Sequence, residues 1–538
     1  MSGASVGDYD ADFIVVGSGF GGCVSALRLV EKGHKVLVLE AGRRWRTGEF
    51  PKTNWLVHKF LWLPALGFYG IQRITLLKNV LVLSGAGVGG GSLVYANTLL
   101  EPPDAFFRDS RWASLDDWKS RLAPHYAMAK RMLGAVPSRF LGPGDHTLRE
   151  IAEELGVGQT FHQPEVAVYF GQPNEAAADP FFGGEGPERV GCTYCGGCMV
   201  GCNVGAKNTL DKNYLYLAEK RGAIVQPLTT VTGITPDARG GYSVVTRRTG
   251  PFGRRGATLR ARHVVLAGGV LGTVPLLLRC KQRGLLPQLS ERLGDYVRTN
   301  SEAIVGALSR RGDSDNSRGI AISSGFYPDP NTHLELVRYG AGQDAMGRLS
   351  ALMVDGHGGR LRRLLRFVGQ ALTHPLDFLR TQKPWGWAKN TVILLAMQPL
   401  DNYLRVKLRR PWWWPFRQRL VSELPPGQTA PPTYIPIANL VARRVAEKTD
   451  GIALGAVNEA LLDAPTTAHI LGGCSMGATS AEGVIGPDHQ VHGYPGLYVC
   501  DGSAISANLG VNPSLTITAM TELAMSRIAP AGNGLPTP

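Results

Sequence analysis

The stretch that most constrains this chain is Asp12-Phe13-Ile14-Val15-Val16-Gly17-Ser18-Gly19-Phe20-Gly21-Gly22, running on to Leu37-Val38-Leu39-Glu40. The apolar run from Phe13 to Val16 predicts a buried parallel strand, Gly17, Gly19 and Gly22 form G-x-G-x-x-G, and Ala26-Leu27-Arg28-Leu29 continues as a helix. The first glycine permits a tight turn and the second, beside Phe20, lets a pyrophosphate touch backbone. The third lets helix pack on strand, and the helix N-terminus faces the anion. Glu40 stands 18 residues beyond Gly22, at the tip of a second strand over Lys35 to Leu39, where a carboxylate can accept hydrogen bonds from both ribose hydroxyls. An unphosphorylated dinucleotide, FAD or NAD, follows.

The 538 residues suffice for two large domains or one complex α/β unit, and 44% hydrophobic with 19% charged residues excludes general disorder. From Met1 to the first strand there is no basic n-region and no apolar h-region, and no apolar run approaches a membrane span; Thr391 to Met397 is only strand length. A cytoplasmic protein is expected. A net charge of +14 is compatible with nucleic acid, an anionic membrane surface or plain solubility, but no nucleic-acid motif accompanies it. Of eight cysteines, four fall within Cys192 to Cys202, which in a reducing compartment suggests metal before disulfides.

Residues 45 to 84 are rich in aromatic and apolar types without clean periodicity. They are followed by Gly85-Ala86-Gly87-Val88-Gly89-Gly90-Gly91-Ser92-Leu93-Val94-Tyr95-Ala96-Asn97, whose glycines bring backbone close to a flat or anionic ligand. Further on, Val264 to Ala267 reads as another buried strand, ending in Gly268 and Gly269 before a helix over Pro275 to Cys280, as a doubly wound sheet requires.

At these residues the chain resembles the glucose-methanol-choline (GMC) flavoprotein oxidoreductases, and G-x-G-V-G-G-G-S-L-V is most similar to the bacterial cholesterol oxidase branch. Lys207 to Leu215, Thr229 to Thr232 and His263 to Thr273 keep the likeness. The resemblance implies an α/β fold: a Rossmann-like FAD-binding domain with an inserted α+β substrate domain on an antiparallel sheet. Residues 8–50, 80–100, 205–300 and 456–530 would form the first. Residues 101–204 and 301–455 would form the second, with a cysteine-rich insertion at 191–204 and a disordered tail at 531–538. It implies FAD contacts at Gly17, Gly19, Phe20, Gly22 and Glu40, at Gly85, Gly89, Gly90, Ser92 and Asn97, and at Val231, Ala267 and Gly268. No His or Cys stands out as a flavin-linking residue, so non-covalent FAD is expected.

Between residues 300 and 455, alternation over His333 to Tyr339 suggests antiparallel strands, and Arg360 to Val368 reads as a basic amphipathic helix. Trp412-Trp413-Trp414 lie between arginines in a proline-bounded loop. Such a loop suits either peripheral contact with a membrane interface or a core-packed cluster with a solvated basic rim.

The C-terminal segment carries His469-Ile470-Leu471-Gly472-Gly473, Cys500-Asp501-Gly502 and Asn512-Pro513. In GMC enzymes a histidine before Gly-Gly and, some forty residues later, an asparagine before proline face the flavin, so the resemblance makes His469 the acid/base or hydroxyl orienter and Asn512 its partner. Asp501, Gly502, Asn512 and Pro513 would also touch the cofactor. Histidine accepts a proton near neutral pH, and asparagine offers donor and acceptor without ionising. The reaction implied is oxidation of a bulky apolar alcohol, such as a 3-hydroxysteroid. A non-steroid alcohol dehydrogenase and a lyase with structural FAD are the alternatives.

Two departures from the family stand out. The branch's isomerising glutamate has no counterpart in Trp387 to Leu394. Cys192, Cys195, Cys198 and Cys202 form C-x2-C-x2-C-x3-C, a ferredoxin-like spacing that points to an iron-sulfur cluster, with tetrahedral zinc or metal-free thiols as alternatives. A cluster would pass electrons to an acceptor protein.

Overall fold

The computed structural model describes residues 9–312, 314–356, 359–410 and 418–532. Its first sheet is built on Ala11–Val16, which pairs in parallel with Val36–Leu39 and with Arg255–Leu266, in register Phe13 to Val36 and Phe13 to His263. Phe13, Ile14 and Val15 are fully buried because both faces of a doubly wound sheet are covered. Ile224–Gln226 extends one edge, and Tyr242–Arg248 and Thr229–Pro236 extend the other. The long strand Arg255–Leu266 serves two partners, its first half pairing with Tyr242–Arg248 and its last residues with Leu497 to Val499. The helices Phe20–Glu31 and Val270–Gln282 leave the carboxyl ends of Ala11–Val16 and Arg255–Leu266 through glycine turns.

The second sheet has six strands in the order Ile322–Asp329, Thr332–Val337, Thr391–Met397, Ala303–Ser309, Gly451–Ala456, Ser350–Leu352, every pair antiparallel. One face is covered by the helices Pro143–Glu154 and Pro436–Lys448, which bury Leu334, Leu336, Leu394 and Ala396. The opposite face carries Ile322, Val337, Ile393 and Leu395, packed beside Trp387.

Alternation in His333 to Tyr339 marks the antiparallel strand expected, but its polar face is not solvated: Thr332–Val337 is buried throughout. Side chains at 333, 335 and 337 share the face opposite Leu334 and Leu336, so Glu335 lies inside the protein.

A hairpin of Gln72–Leu76 and Leu81–Gly85 takes Thr466–Thr467 as a third strand, parallel to Leu81 and Val82. This pairing ties the segment before His469 to the strand that enters the second glycine loop. In the tail, residues 531–532 are described, with the Ala531 N–H donating to the Lys32 carbonyl at 2.8 Å, while residues 533–538 lie outside the described part. Trp412, Trp413 and Trp414 also lie outside it.

Candidate active site

A cavity of about 1690 Å³ is walled by both sheets and both glycine loops. Pockets for one organic ligand span roughly 300–1,000 Å³, so this one accommodates a dinucleotide together with a second molecule.

Its first wall is backbone at close quarters. Gly17 has φ of +104°, and a Cβ there would stand 2.4 Å from the Ala267 carbonyl oxygen; one at Gly90 would stand 2.6 Å from the Gly19 Cα. Each glycine loop thus touches its neighbour with no room for a side chain. The helix Phe20–Glu31 starts without a side-chain cap and without an acidic residue in its first turn, leaving its N–H groups for an anion. Gly17, Gly19, Phe20, Glu40, Gly85, Gly90, Val231, Ala267, Gly268, Asp501, Gly502 and Pro513 all line the cavity.

Four expected contacts stand behind this wall instead. Gly22 packs helix on strand, where a Cβ would approach the Gly17 carbonyl to 2.0 Å. Gly89 donates its N–H to Ser18 Oγ at 3.2 Å. Ser92 spends its hydroxyl on backbone, donating to the Gly89 carbonyl and accepting from Leu210 N–H. Asn97 is fully buried in a left-handed conformation, φ 72°.

Two buried carboxylates in the first wall are saturated by protein donors. Glu40 accepts from Ser18 N–H at 2.9 Å, Ser18 Oγ at 2.7 Å and Gly42 N–H at 2.7 Å, joining the two loops. Asp501 accepts from Gly269 N–H, Thr273 Oγ1, Ser503 N–H and Ser503 Oγ. Burial pushes both carboxyls above their usual range despite these bonds.

His469 and Asn512, 43 residues apart in sequence, both line the cavity. His469 Nδ1 lies 2.5 Å from Glu302 Oε1, and the other oxygen of Glu302 accepts the Ala468 N–H at 2.8 Å. A carboxylate only accepts, so Nδ1 carries the proton, and in the neutral ring Nε2 is left with its lone pair. Burial alone would pull the imidazole down, but the charge of Glu302, its hydrogen bond and the charge of Glu335 outweigh it and hold His469 above its ordinary value.

Asn512 donates from Nδ2 to Glu335 Oε2 at 3.1 Å, while Asn512 Oδ1 and Glu335 Oε1 are buried without partners. Burial, opposed by the Asn512 bond, pushes Glu335 up to about 7. Asn300 holds the loop in place: its Oδ1 accepts from Leu509 and Gly510 N–H, and its Nδ2 donates to the Val511 carbonyl.

Glu302, Glu335 and Asn300 were not legible as functional residues. The one available signal was a lone acid in an apolar strand, and a lone acid has no spacing partner to give it meaning.

The structure gives the metal expectation for the cysteines no support. Among the described residues no group of three or more His, Cys, Asp or Glu side chains could hold a metal ion. Cys192 and Cys198 pack as small hydrophobes with Val166, Val168, Ala206, Ile320 and Ala321, with Cys202 alongside, while Cys195 is exposed. The four line a cavity of only about 20 Å³, room for about one water. Lys207 is buried beside them, donating to the carbonyls of Leu93, Tyr95 and Cys198, and burial pulls it down to about 7. Burial pushes the Cys192 thiol up to about 12, so it stays protonated at neutral pH.

Residues 11–285 and 432–521 match the two models of one family, GMC oxidoreductase. The chain belongs to the GMC oxidoreductase family. This GMC oxidoreductase is 50% identical to a cholesterol oxidase of Mycobacterium tuberculosis over 536 residues, covering 96% of this chain and 91% of the relative. It is 44% identical to a cholesterol oxidase of Acinetobacter baumannii, covering 97% and 95%. Among solved structures, pyridoxine 4-oxidase from Mesorbium loti shares the fold, with a TM-score of 0.61 at 14% identity over 96% of this chain and 99% of that one. The protein is thus an FAD-dependent alcohol oxidoreductase, and the glycine cradle, the uncapped helix and the unpartnered atoms of Asn512 and Glu335 fit that cofactor.

Proposed function

We propose that this enzyme oxidises the secondary hydroxyl of a bulky apolar alcohol, a 3-hydroxysteroid such as cholesterol, to the ketone. The observation that carries the reading is the second wall of the cavity, where Ile322, Val337, Tyr339, Trp387, Ile393 and Leu395 form an apolar surface in the same space as His469 and Asn512. A fused-ring substrate gains roughly 25 cal/mol per Å² of apolar area it buries there, whereas a small polar alcohol gains little. The names of the two bacterial relatives support the same substrate class.

FAD, when bound, would be held by the glycine loops, which Glu40 braces, by Val231 and by the segment around Asp501, and would supply the acceptor for the hydride from the carbinol carbon. The protein's own groups handle the hydroxyl. His469 Nε2 accepts its proton, with Glu302 holding the ring and stabilising the imidazolium that forms. Asn512 has a second Nδ2 hydrogen beyond the one given to Glu335, and it donates this to the carbinol oxygen. Together the two contacts fix the C–H bond in one direction. We place the protein in a reducing compartment, which its eight free cysteines permit.

The test is anaerobic addition of a 3-hydroxysteroid to the purified holoenzyme. Bleaching of the flavin absorbance with formation of the ketone is expected. Bleaching by short polar alcohols but not by steroids would overturn the substrate class, and product formation without bleaching would indicate lyase chemistry. Admitting oxygen afterwards shows whether oxygen or a carrier takes the electrons.

A further inference from the structure

Between Ser350 and Trp387, both of which line the cavity, the chain leaves the wall to form two helices, Gly359–Thr373 and Pro375–Gln382. Their inner side is anchored. Phe367 and Phe378 pack on Leu308, Leu352, Ile452 and Leu454, and the buried Arg363 donates to Asp463 at 3.1 Å. Their outer side is uncovered: Leu361, Leu365, Val368 and Leu372 are exposed, Leu372 by 75%. At about 100° per residue these four fall within roughly 60° of one another, a single stripe along the helix. Leu376, Leu379 and Trp385, the last 79% exposed, follow in the second helix and the segment beyond it.

The helix expected over Arg360 to Val368 is present, and what the structure adds is that its apolar stripe faces out. A run of this kind on a soluble chain marks a contact surface. Its border is cationic. Arg362 and Arg366 lie about 100° and 140° round the helix from Leu361, and Lys383 stands beside Trp385. The only acid from residue 359 to 385 is Asp377, whose carboxylate is taken by Arg310 and Arg380. A two-fold contact with a second copy would set these cations against one another. An interface with acyl chains beneath anionic headgroups satisfies stripe and border together.

We propose that this helical pair docks the enzyme on an anionic lipid bilayer, laying Leu361, Leu365, Val368, Leu372 and Trp385 into the interface beside the cavity wall. The docking holds whichever alcohol is oxidised. The test is co-sedimentation of the FAD-loaded enzyme with substrate-free vesicles of phosphatidylcholine containing phosphatidylglycerol, compared with phosphatidylcholine alone. Binding to the anionic vesicles is expected, weakened by salt, and reduced about tenfold or more in the variant Leu365→Ser/Leu372→Ser/Trp385→Ser. Phe252→Ser, at an exposed site elsewhere, should bind as wild type. Turnover of detergent-dispersed alcohol should be equal in all three proteins, so a failure of the substrate reading shows separately. Equal vesicle binding by wild type and triple variant, or none by either, would overturn the proposal. Concentration-dependent dimerisation lost in the triple variant would overturn it as well, in favour of a second copy.

Discussion

The two walls of the cavity bury carboxylates in opposite ways. On the parallel-sheet side, Glu40 and Asp501 are surrounded by backbone N–H and hydroxyl donors. On the antiparallel-sheet side, Glu335 has one donor, from Asn512, and one oxygen with none. A saturated carboxylate is a structural joint. An unsaturated one is a group held ready for a ligand or a proton, and burying it without partners carries a stability penalty. Under the proposed function the first wall is then a rigid frame for the cofactor, and the second keeps the polar groups that would meet the substrate.

The largest test of that division is Gly17→Ala. Positive φ and a Cβ against the Ala267 carbonyl leave no relaxed conformation, so the variant should purify with little flavin and a lowered Tm. A full flavin complement, read as the ratio of visible to ultraviolet absorbance, would show that the frame is softer than its geometry. His469→Ala should keep the flavin but lower kcat by roughly 10²–10⁴, the usual contribution of a positioned base. Loss of flavin instead would move His469 into the frame.

Glu302→Gln is expected to lower kcat about ten- to hundredfold. Removing the charge that holds His469 up should also shift the acid limb of the kcat/KM profile to lower pH, an effect a purely structural role would not produce. The smallest expected effect is that of Glu335→Gln. The folded-state value of Glu335 lies near 7 against an ordinary 4.5, so the native protein holds this proton more tightly than the unfolded chain. Its contribution is fully retained below 4.5 and lost as pH rises through 7. The variant should match wild-type Tm near pH 4.5 and exceed it at pH 8; an equal gap at both values would remove Glu335 from the pH response.

The first wall was legible in the sequence because its chemistry depends on backbone. Gly17, Gly19 and Gly22 sit where strand, turn and helix must meet, and the strands beside them, Ala11–Val16 and Val36–Leu39, appear within two residues of their expected bounds, whereas the strand expected at Val264 to Ala267 begins already at Arg255. His469 and Asn512 were legible through the residues that follow each of them. Glu302 and Glu335 were not, because their contacts are tertiary: Glu302 meets His469 across 167 residues of chain, and register places Glu335 opposite Leu395 and lets it reach Asn512 across 177.

The cysteines fail in the reverse sense. Their spacing is that of a ligand run, and the four do line one small cavity, yet it has room for about one water and among the described residues no group of three or more such side chains is placed to hold a metal ion. The helix of residues 359–373 shows the same limit, since periodicity marks an apolar stripe but not whether it faces core or solvent.

By itself the sequence determined the local geometry: where backbone must bend, where strands stay dry, and which two C-terminal residues line the cavity. Only the tertiary structure decided which carboxylates are satisfied, how the thiols are packed, and which way the leucine stripe faces. Those are questions of distance between segments far apart in the chain, and pattern along a single strand or helix carries no such distance.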